Sequence, residues 1–296
     1  MFSCIVTCYN RENVIANAIN SILNQTYQGF EIILVDDGSA DNSVAVVAAF
    51  NNPIIKIIRH EVNKGQNAAL NTGVRNANNN LLAFLDSDDE WLPTYLEEMA
   101  ACYMKDKNID FAYSNILHGP LWRLHGSNQY AKVLDQGFLS CMIGITAKKE
   151  AVNFIGCFDE RYTICQDDDF CFRLAKNFSF AVITRGLVLI NASYDSMTAN
   201  RTNVAKGWAF LFREYKKDIL HYCGSKTLSK HYLNVCSKYF EAKLYGQGLK
   251  YYVYALYHFL KPGRSLFNFE IATFFRESIT IFKLIVRPFK QKLFAK

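Results

Sequence analysis

Leu81-Leu82-Ala83-Phe84-Leu85-Asp86-Ser87-Asp88-Asp89 is the stretch on which the reading of this chain turns. Five apolar residues run without a break into three carboxylates within four positions. A short apolar run bounded by polar residues reads as a strand buried on both faces. In open α/β sheets, ligand sites lie beyond the carboxyl ends of the strands. Two carboxylates about 4 Å apart repel by roughly 4 kcal/mol at an effective dielectric of 20, so a cation is the natural relief. Oxygen ligands without nearby His or Cys favour a hard ion, Mg²⁺ or Mn²⁺, shared with substrate phosphates. The plain alternative is a helix start, with Asp88 and Asp89 capping a helix near Pro93.

Outward from this stretch, strand and helix patterns alternate. Phe2–Thr7, Phe30–Val35 and Ile54–Ile58 read as strands, and Leu81–Leu85 as a fourth. Helical spacing of apolar residues predicts helices over Asn13–Leu23, Ser43–Phe50 and Gln66–Asn76. That alternation implies a mostly parallel α/β sheet covered on both faces. Between Leu92 and Ala199 the pattern is mixed, with helices expected at 93–104 and 167–176. After Arg201 helices dominate.

Composition sets outer bounds. The chain has 296 residues, 50% hydrophobic and 20% charged, with Gly 15 and Pro 5. This excludes global disorder and collagen-like order. Nine cysteines without a Cys-x-x-Cys pair read as reduced, buried side chains. The net charge of +6 conceals an asymmetry: residues 1–200 carry −7 and residues 201–296 carry +13. The break predicts two domains, 1–200 and 201–296, the second basic and holding 21 of the 43 aromatic residues.

No secretory signal or membrane span is visible. Tyr251–Leu260 and Ile279–Val286 are short of the roughly 20 apolar residues a span needs. The expectation is a cytoplasmic protein with peripheral contact at the inner face of the membrane. Basic residues near anionic lipid contribute about 1 kcal/mol each. A solvated helical hairpin is the alternative, and no recognised module supports nucleic-acid binding.

Three further segments carry chemistry. Ile32-Ile33-Leu34-Val35-Asp36-Asp37-Gly38-Ser39-Ala40-Asp41-Asn42-Ser43 is a second strand ending in acids, where an Asp can accept from a ribose or base edge. A turn with an Asp41 or Ser43 cap explains it equally. Asn63-Lys64-Gly65-Gln66-Asn67 lacks the glycine spacing of dinucleotide and NTPase loops; Lys64 before a Gly-opened helix could meet a phosphate, but a solvated lysine is the plainer reading of these residues alone. Cys165-Gln166-Asp167-Asp168-Asp169-Phe170-Cys171-Phe172-Arg173 places three acids in a first helical turn. Arg173 can pair with Asp169, leaving Asp167 or Asp168 free as a general base, while a helix start with ordinary acidic decoration is the plainer alternative.

In order and spacing, these segments, together with Cys4-Ile5-Val6-Thr7-Cys8-Tyr9-Asn10-Arg11-Glu12 and the run Ser21 to Tyr27, resemble family 2 glycosyltransferases of the GT-A fold over about residues 1–200. The resemblance implies an inverting transferase using a nucleotide-diphosphate sugar, UDP by family habit, with Mn²⁺ or Mg²⁺. It implies that Thr7, Tyr9, Glu12, Asp36 and Asp86 hold the nucleotide sugar, with Lys64 near its phosphates. Asp88 would bind the cation and Asp167 would be the base. The acceptor would be a glycan or lipid-linked sugar in bacterial surface polysaccharide synthesis. Two positions depart from the family's habit. Gln166 stands where Glu is common, and Ser193 falls near the place of a metal-shell His, leaving Asp195 or water to complete that shell. These departures raise the alternative of a non-catalytic nucleotide-sugar-binding scaffold. A sugar-phosphate nucleotidyltransferase would instead need a Gly-rich loop after the first strand, and Thr7–Asn13 has no glycine.

Overall fold

The computed structural model describes residues 1–118, 129–136, 142–191, 199–261 and Ser278. Ser193, Asp195, the segment Ile279–Val286 and the rest of the basic tail past it lie outside the described residues. Two compact units emerge, one from residues 1–118 and 142–191, the other from 129–136 and 199–261.

The first unit is an eight-stranded sheet: β1 Phe2–Cys8, β2 Phe30–Asp36, β3 Ile55–Arg59, β4 Leu81–Asp86, β5 Glu90–Trp91, β6 Phe111–Ile116, β7 Ile145–Lys148 and β8 Phe180–Leu189. Strand order is β3-β2-β1-β4-β7-β6-β8-β5. The β3-β2-β1-β4 half is wholly parallel. Beyond it β7 pairs antiparallel with both β4 and β6, while β6 and β8 run parallel. Its helices are α1 Ile15–Leu23, α2 Ser43–Ala48, α3 Gln66–Asn76, α4 Tyr95–Lys105, α6 Lys149–Phe154 and α7 Gln166–Asn177. The α/β class, with a largely parallel centre and helical C-terminal region, is as the sequence predicts.

Every residue of β1 is buried, which is why it reads as a continuous apolar run rather than an alternation. Ile15, Ala18, Ile19 and Ile22 of α1 join Cys4, Val6, Ile32 and Leu34 in one core. Full burial of each large side chain contributes about 1.5–3 kcal/mol. On the opposite face α3 lies close: a Cβ at Gly73 would stand 2.4 Å from Ile5 Cγ2. The glycine is therefore a contact requirement.

The helix expected at 93–104 begins at Tyr95 behind Thr94, so Asp88 and Asp89 are not its caps. The capping alternative fails because Asp89 accepts instead from the Asn191 backbone N–H, 2.9 Å away.

The second unit consists of α5 Gln129–Gln136, α8 Arg201–Glu214, α9 Lys216–Tyr222, α10 Ser225–Glu241 and α11 Tyr245–Leu260. Helix α5 comes from mid-chain and is tied in by polar bonds: Thr227 Oγ1 donates to Asp135 Oδ1 (3.1 Å), and Tyr130 Oη to Asp218 Oδ2 (2.5 Å). His231 Nε2 lies 2.7 Å from the Leu134 carbonyl while its ring stacks on Phe212. Burial holds the His231 pKa down to about 3, so the ring is neutral. Among the described residues no helix is long and apolar enough to cross a membrane.

Candidate active site

Register aligns the carboxyl ends of three strands. Thr7 on β1 stands beside Val35 of β2 on one side and Asp86 of β4 on the other, and Cys8 stands beside Asp36. The nucleotide-binding residues expected on different loops therefore share one rim.

At the end of β2 the two acids are largely spoken for. Asp37 is buried and gathers four partners: His60 Nδ1 at 2.7 Å, the Lys64 and Gly65 backbone N–H groups at 2.9 and 2.8 Å, and its own backbone N–H given to Cys8. His60 is held from behind by the Thr72 hydroxyl at 3.0 Å. Gly38 permits the turn: its φ is +78°, and a Cβ there would lie 2.8 Å from the Val62 backbone. Asp36 receives Arg59 Nε at 3.2 Å and the Ser39 N–H at 3.2 Å, both on Oδ2. Its Oδ1 is buried with no hydrogen-bond partner. An acceptor without a donor in a wholly buried side chain is unusual and suits a ligand donor.

The loop after β1 is fastened to the same rim. Asn10 adopts a left-handed φ of 52° and its backbone N–H donates to Ser39 Oγ. Glu12 Oε2 accepts from both the Asn42 backbone and side chain, at 2.9 Å each. Asp41 accepts from the Ser43 and Glu12 N–H groups. Tyr9 is 45% exposed, leaving its ring available at the rim. The Lys64 side chain is exposed, while its backbone anchors the loop.

At the end of β4 the picture inverts. Asp86 has its pKa raised well above the carboxylate range by burial, then by the charges of Asp167, Asp89 and Asp88, with Arg11 opposing. Asp89 is pushed up to about 7, chiefly by burial, against the Asn191 hydrogen bond. Asp167 is pushed up to about 6 by burial, partly offset by the Met142 N–H on its Oδ2 at 3.2 Å. Asp168 is raised further by burial and by Asp167 and Asp169, and its Oδ1 has no partner. Arg173 pairs with Asp169 at 2.6 Å, leaving Asp167 and Asp168 without that cation.

Aromatic packing brings α7 to β4. Phe158 stacks on Phe170 at 4.2 Å, and both meet Phe84 edge-on at 5.3 and 5.7 Å. Asn67 Nδ2 donates to the Asp159 and Tyr162 carbonyls, and Asn71 Nδ2 to the Phe158 carbonyl. These bonds fix the 158–162 loop against α3. Cys165 then turns through a left-handed φ of 64°, and α7 opens with Asp167, Asp168 and Asp169 in its first turn, Asp167 near enough to act on Asp86.

Sequence reasoning overlooked Gln66. Its Nε2 donates to Asp86 Oδ1 at 2.8 Å and its Oε1 accepts from Gln166 Nε2 at 3.0 Å. Only its place at the start of a Gly-opened helix hinted at a role.

Among the described residues no three His, Cys, Asp or Glu side chains converge as a self-sufficient metal site. The donor set is nonetheless oxygen-only and mutually repelling. Such a set would suit a hard cation.

Comparison with known proteins gives the same direction. The family model for "Glycosyl transferase family 2" matches residues 3–180. A UDP-Glc:alpha-D-GlcNAc-diphosphoundecaprenol beta-1,3-glucosyltransferase, WfgD of Escherichia coli, is 39% identical over 115 residues, covering 39% of this chain. The match spans 45% of that relative's length. Staphylococcus aureus TarS 1–349, solved with UDP-GlcNAc, superposes with a TM-score of 0.56 at 16% identity, covering 96% of this chain and 81% of that one. A mannosyltransferase from Pyrobaculum calidifontis, solved with GDP-Man and Mn²⁺, superposes with a TM-score of 0.57 at 17% identity, covering 88% and 86%. Both superpositions place the chain in the GT-A fold.

Proposed function

The chain belongs to glycosyl transferase family 2, and on that premise we propose that it is an inverting transferase acting in bacterial surface-polysaccharide synthesis. It moves a hexosyl or N-acetylhexosaminyl group from a nucleotide-diphosphate sugar, UDP-linked, to a hydroxyl of a glycan or lipid-linked acceptor. The observation that carries this reading is the place of Asp86 at the carboxyl end of β4, in register with Thr7 and hydrogen-bonded to Gln66, where the charges of Asp167, Asp89 and Asp88 reach its carboxyl.

Each residue takes a role its surroundings allow. Thr7, Tyr9, Glu12 and Asp36 hold the nucleoside, with Asp36 Oδ1 free to accept from it. Lys64 meets the diphosphate from its exposed loop. Asp86 would face the ribose and, with Asp88, hold the cation. A bound Mn²⁺ or Mg²⁺ supplies Lewis-acid neutralisation of charge on the leaving diphosphate. Asp167, with a pKa near 6, is ionised at neutral pH yet basic enough to take a proton. It receives the acceptor's hydroxyl proton as that oxygen bonds to the anomeric carbon. The carbon–oxygen bond to the diphosphate breaks on the opposite face, so one displacement inverts the centre.

The acceptor class is supported by the name of the WfgD relative, a transferase to a diphosphoundecaprenol-linked sugar. We divide the chain into a catalytic part, 1–200, and a basic helical part, 201–296, the latter in peripheral contact with anionic membrane on the cytoplasmic side. Helix α11 supports that contact. Leu249, Val253, Leu256 and Leu260 are exposed at spacings of four, three and four residues, beside exposed Tyr254 and Tyr257. Lys250 and Lys261 lie over those two tyrosine rings, and no acid occurs between Glu241 and Glu270. An apolar, aromatic and basic face of this kind suits an anionic interface.

The test is a panel of UDP-Glc, UDP-GlcNAc and GDP-Man with Mn²⁺ and a GlcNAc-diphospholipid acceptor, following nucleoside diphosphate release. Transfer from one donor, abolished by EDTA, is expected. Binding of donors without release or transfer would favour the scaffold reading suggested by Gln166.

A further inference from the structure

The amides of Gln66 and Gln166 form a directed chain that ends on Asp86. Gln166 Nε2 donates to Gln66 Oε1, and Gln66 Nε2 donates to Asp86 Oδ1. An amide has one accepting end and one donating end. With its Nε2 turned to Asp86, Gln66 presents its carbonyl to residue 166. A donor at 166 completes that pair, whereas an ionised carboxylate there would set oxygen against oxygen.

The cost of that direction is visible. Gln166 Oε1 is buried and has no hydrogen-bond partner. Turning the amide over would place Oε1 against Gln66 Oε1, so the side chain keeps the bond and leaves its own carbonyl unserved. The φ of 64° at Cys165 launches α7 so that residue 166 points at α3.

We propose that Gln66 is a positioning residue that orients Asp86 for the nucleotide sugar, and that Gln166 is its obligate partner, an amide because Gln66 presents a carbonyl. This rests on the transferase reading only for its kinetic consequence. The amide at 166, where Glu is common, is then half of a matched pair, and Gln166→Glu would harm the enzyme. In that variant Gln66 either confronts a carboxylate or turns over and withdraws its donor from Asp86.

Two measurements test this on the full-length protein. The first needs no activity: side-chain amide ¹⁵N spectra of the ligand-free protein, with Gln66 and Gln166 assigned through Gln66→Met and Gln166→Met. Gln166→Glu is expected to shift the Gln66 Nε2 resonance and speed its proton exchange about tenfold as its hydrogen bond to Asp86 is lost. An unmoved Gln66 signal overturns the proposal. The second is kinetic: Gln66→Met and Gln166→Glu each raise the donor KM about tenfold with kcat within threefold, and the double variant is no worse than Gln66→Met alone. An unchanged KM in a folded Gln166→Glu, or independent effects in the double variant, overturns it. Should the wild type transfer no sugar, the transferase reading fails while the spectra still decide the pairing.

Discussion

Two acidic clusters close two strands of one sheet, on either side of β1, and they behave in opposite ways. Asp36-Asp37 at the end of β2 is met by Arg59, His60 and three backbone N–H groups. Asp86, at the end of β4, feels the charges of Asp167, Asp89 and Asp88, and the donors there are Gln66 on Asp86 and the Asn191 N–H on Asp89. The first cluster is a fastening that holds the 60–65 loop, apart from the free Oδ1 of Asp36. The second is left unneutralised, which costs stability and, on the proposed function, suits a cation. Acids after a strand mean structure or chemistry according to what the next loops donate.

The largest consequence falls on turnover. Asp167→Asn and Asp88→Asn are each expected to lower kcat by about 10²–10⁴, read as nucleoside diphosphate release, with thermal stability held or raised because like charges are relieved. Asp37→Ala should do the reverse. Removing this buried acceptor leaves His60 and the Lys64 and Gly65 N–H groups unserved, at about 1–3 kcal/mol for each group left buried without a partner, read in chemical denaturation, and the protein that remains folded should keep a measurable rate. If Asp37→Ala left stability untouched, the contrast between the two clusters would vanish.

The acidic strand ends, the four strands of the parallel half and the opening helices are legible in the sequence because buried parallel strands are uninterrupted apolar runs. The strands β6, β7 and β8 are not. Ser114 and Thr146 are buried in them, β7 has four residues, and β8 includes Thr184 and Arg185, so neither alternation nor an apolar run marks them. Helix α5 is hidden for another reason: its partners, Thr227 and His231, lie some ninety residues along the chain. The acids of the site could be named, since carboxylates are conspicuous. That Asp37 is quenched and Asp86 is not depends on backbone N–H groups of a folded loop, which no residue type announces.

A pH series separates the clusters further. Asp167 has a folded pKa near 6, above the roughly 3.9 of an unstructured aspartate. If Asp167 is the base proposed above, it must be ionised to act, so kcat/KM should rise with pH through about 6 and then level. The stability term has the opposite sign. Where the folded pKa is raised, the proton stabilises the native state below the unfolded pKa, and that contribution is lost as pH rises through the folded value. Asp86 and Asp168, shifted the same way, add to it. The ligand-free protein should therefore melt higher at pH 5 than at pH 7. Mn²⁺ with UDP should restore about 2–3 kcal/mol at pH 7 when present at 100 times its dissociation constant. A melting temperature indifferent to both pH and Mn²⁺–UDP would mean that the β4 acids carry no net repulsion.

The smallest effect concerns Lys64, which sits between the two clusters in purpose. The sequence assigns it to a phosphate, yet its backbone N–H, bonded to Asp37 Oδ1, performs the structural task and its ammonium is exposed. An exposed charge contributes little to folding, roughly 0–1 kcal/mol. Lys64→Ala should therefore leave the melting temperature unchanged and raise the donor KM by about fivefold, a loss of roughly 1 kcal/mol. Gly65→Ala acts on the backbone instead. A Cβ there meets no atom within 4 Å, but φ is +92°, outside the range open to alanine without strain. It should loosen the loop's hold on Asp37 and lower stability by about 1–2 kcal/mol. A stability loss in Lys64→Ala equal to that in Gly65→Ala would show that the side chain, and not the peptide, fastens the loop. The division of labour between the β2 and β4 clusters would then have to be redrawn at this residue.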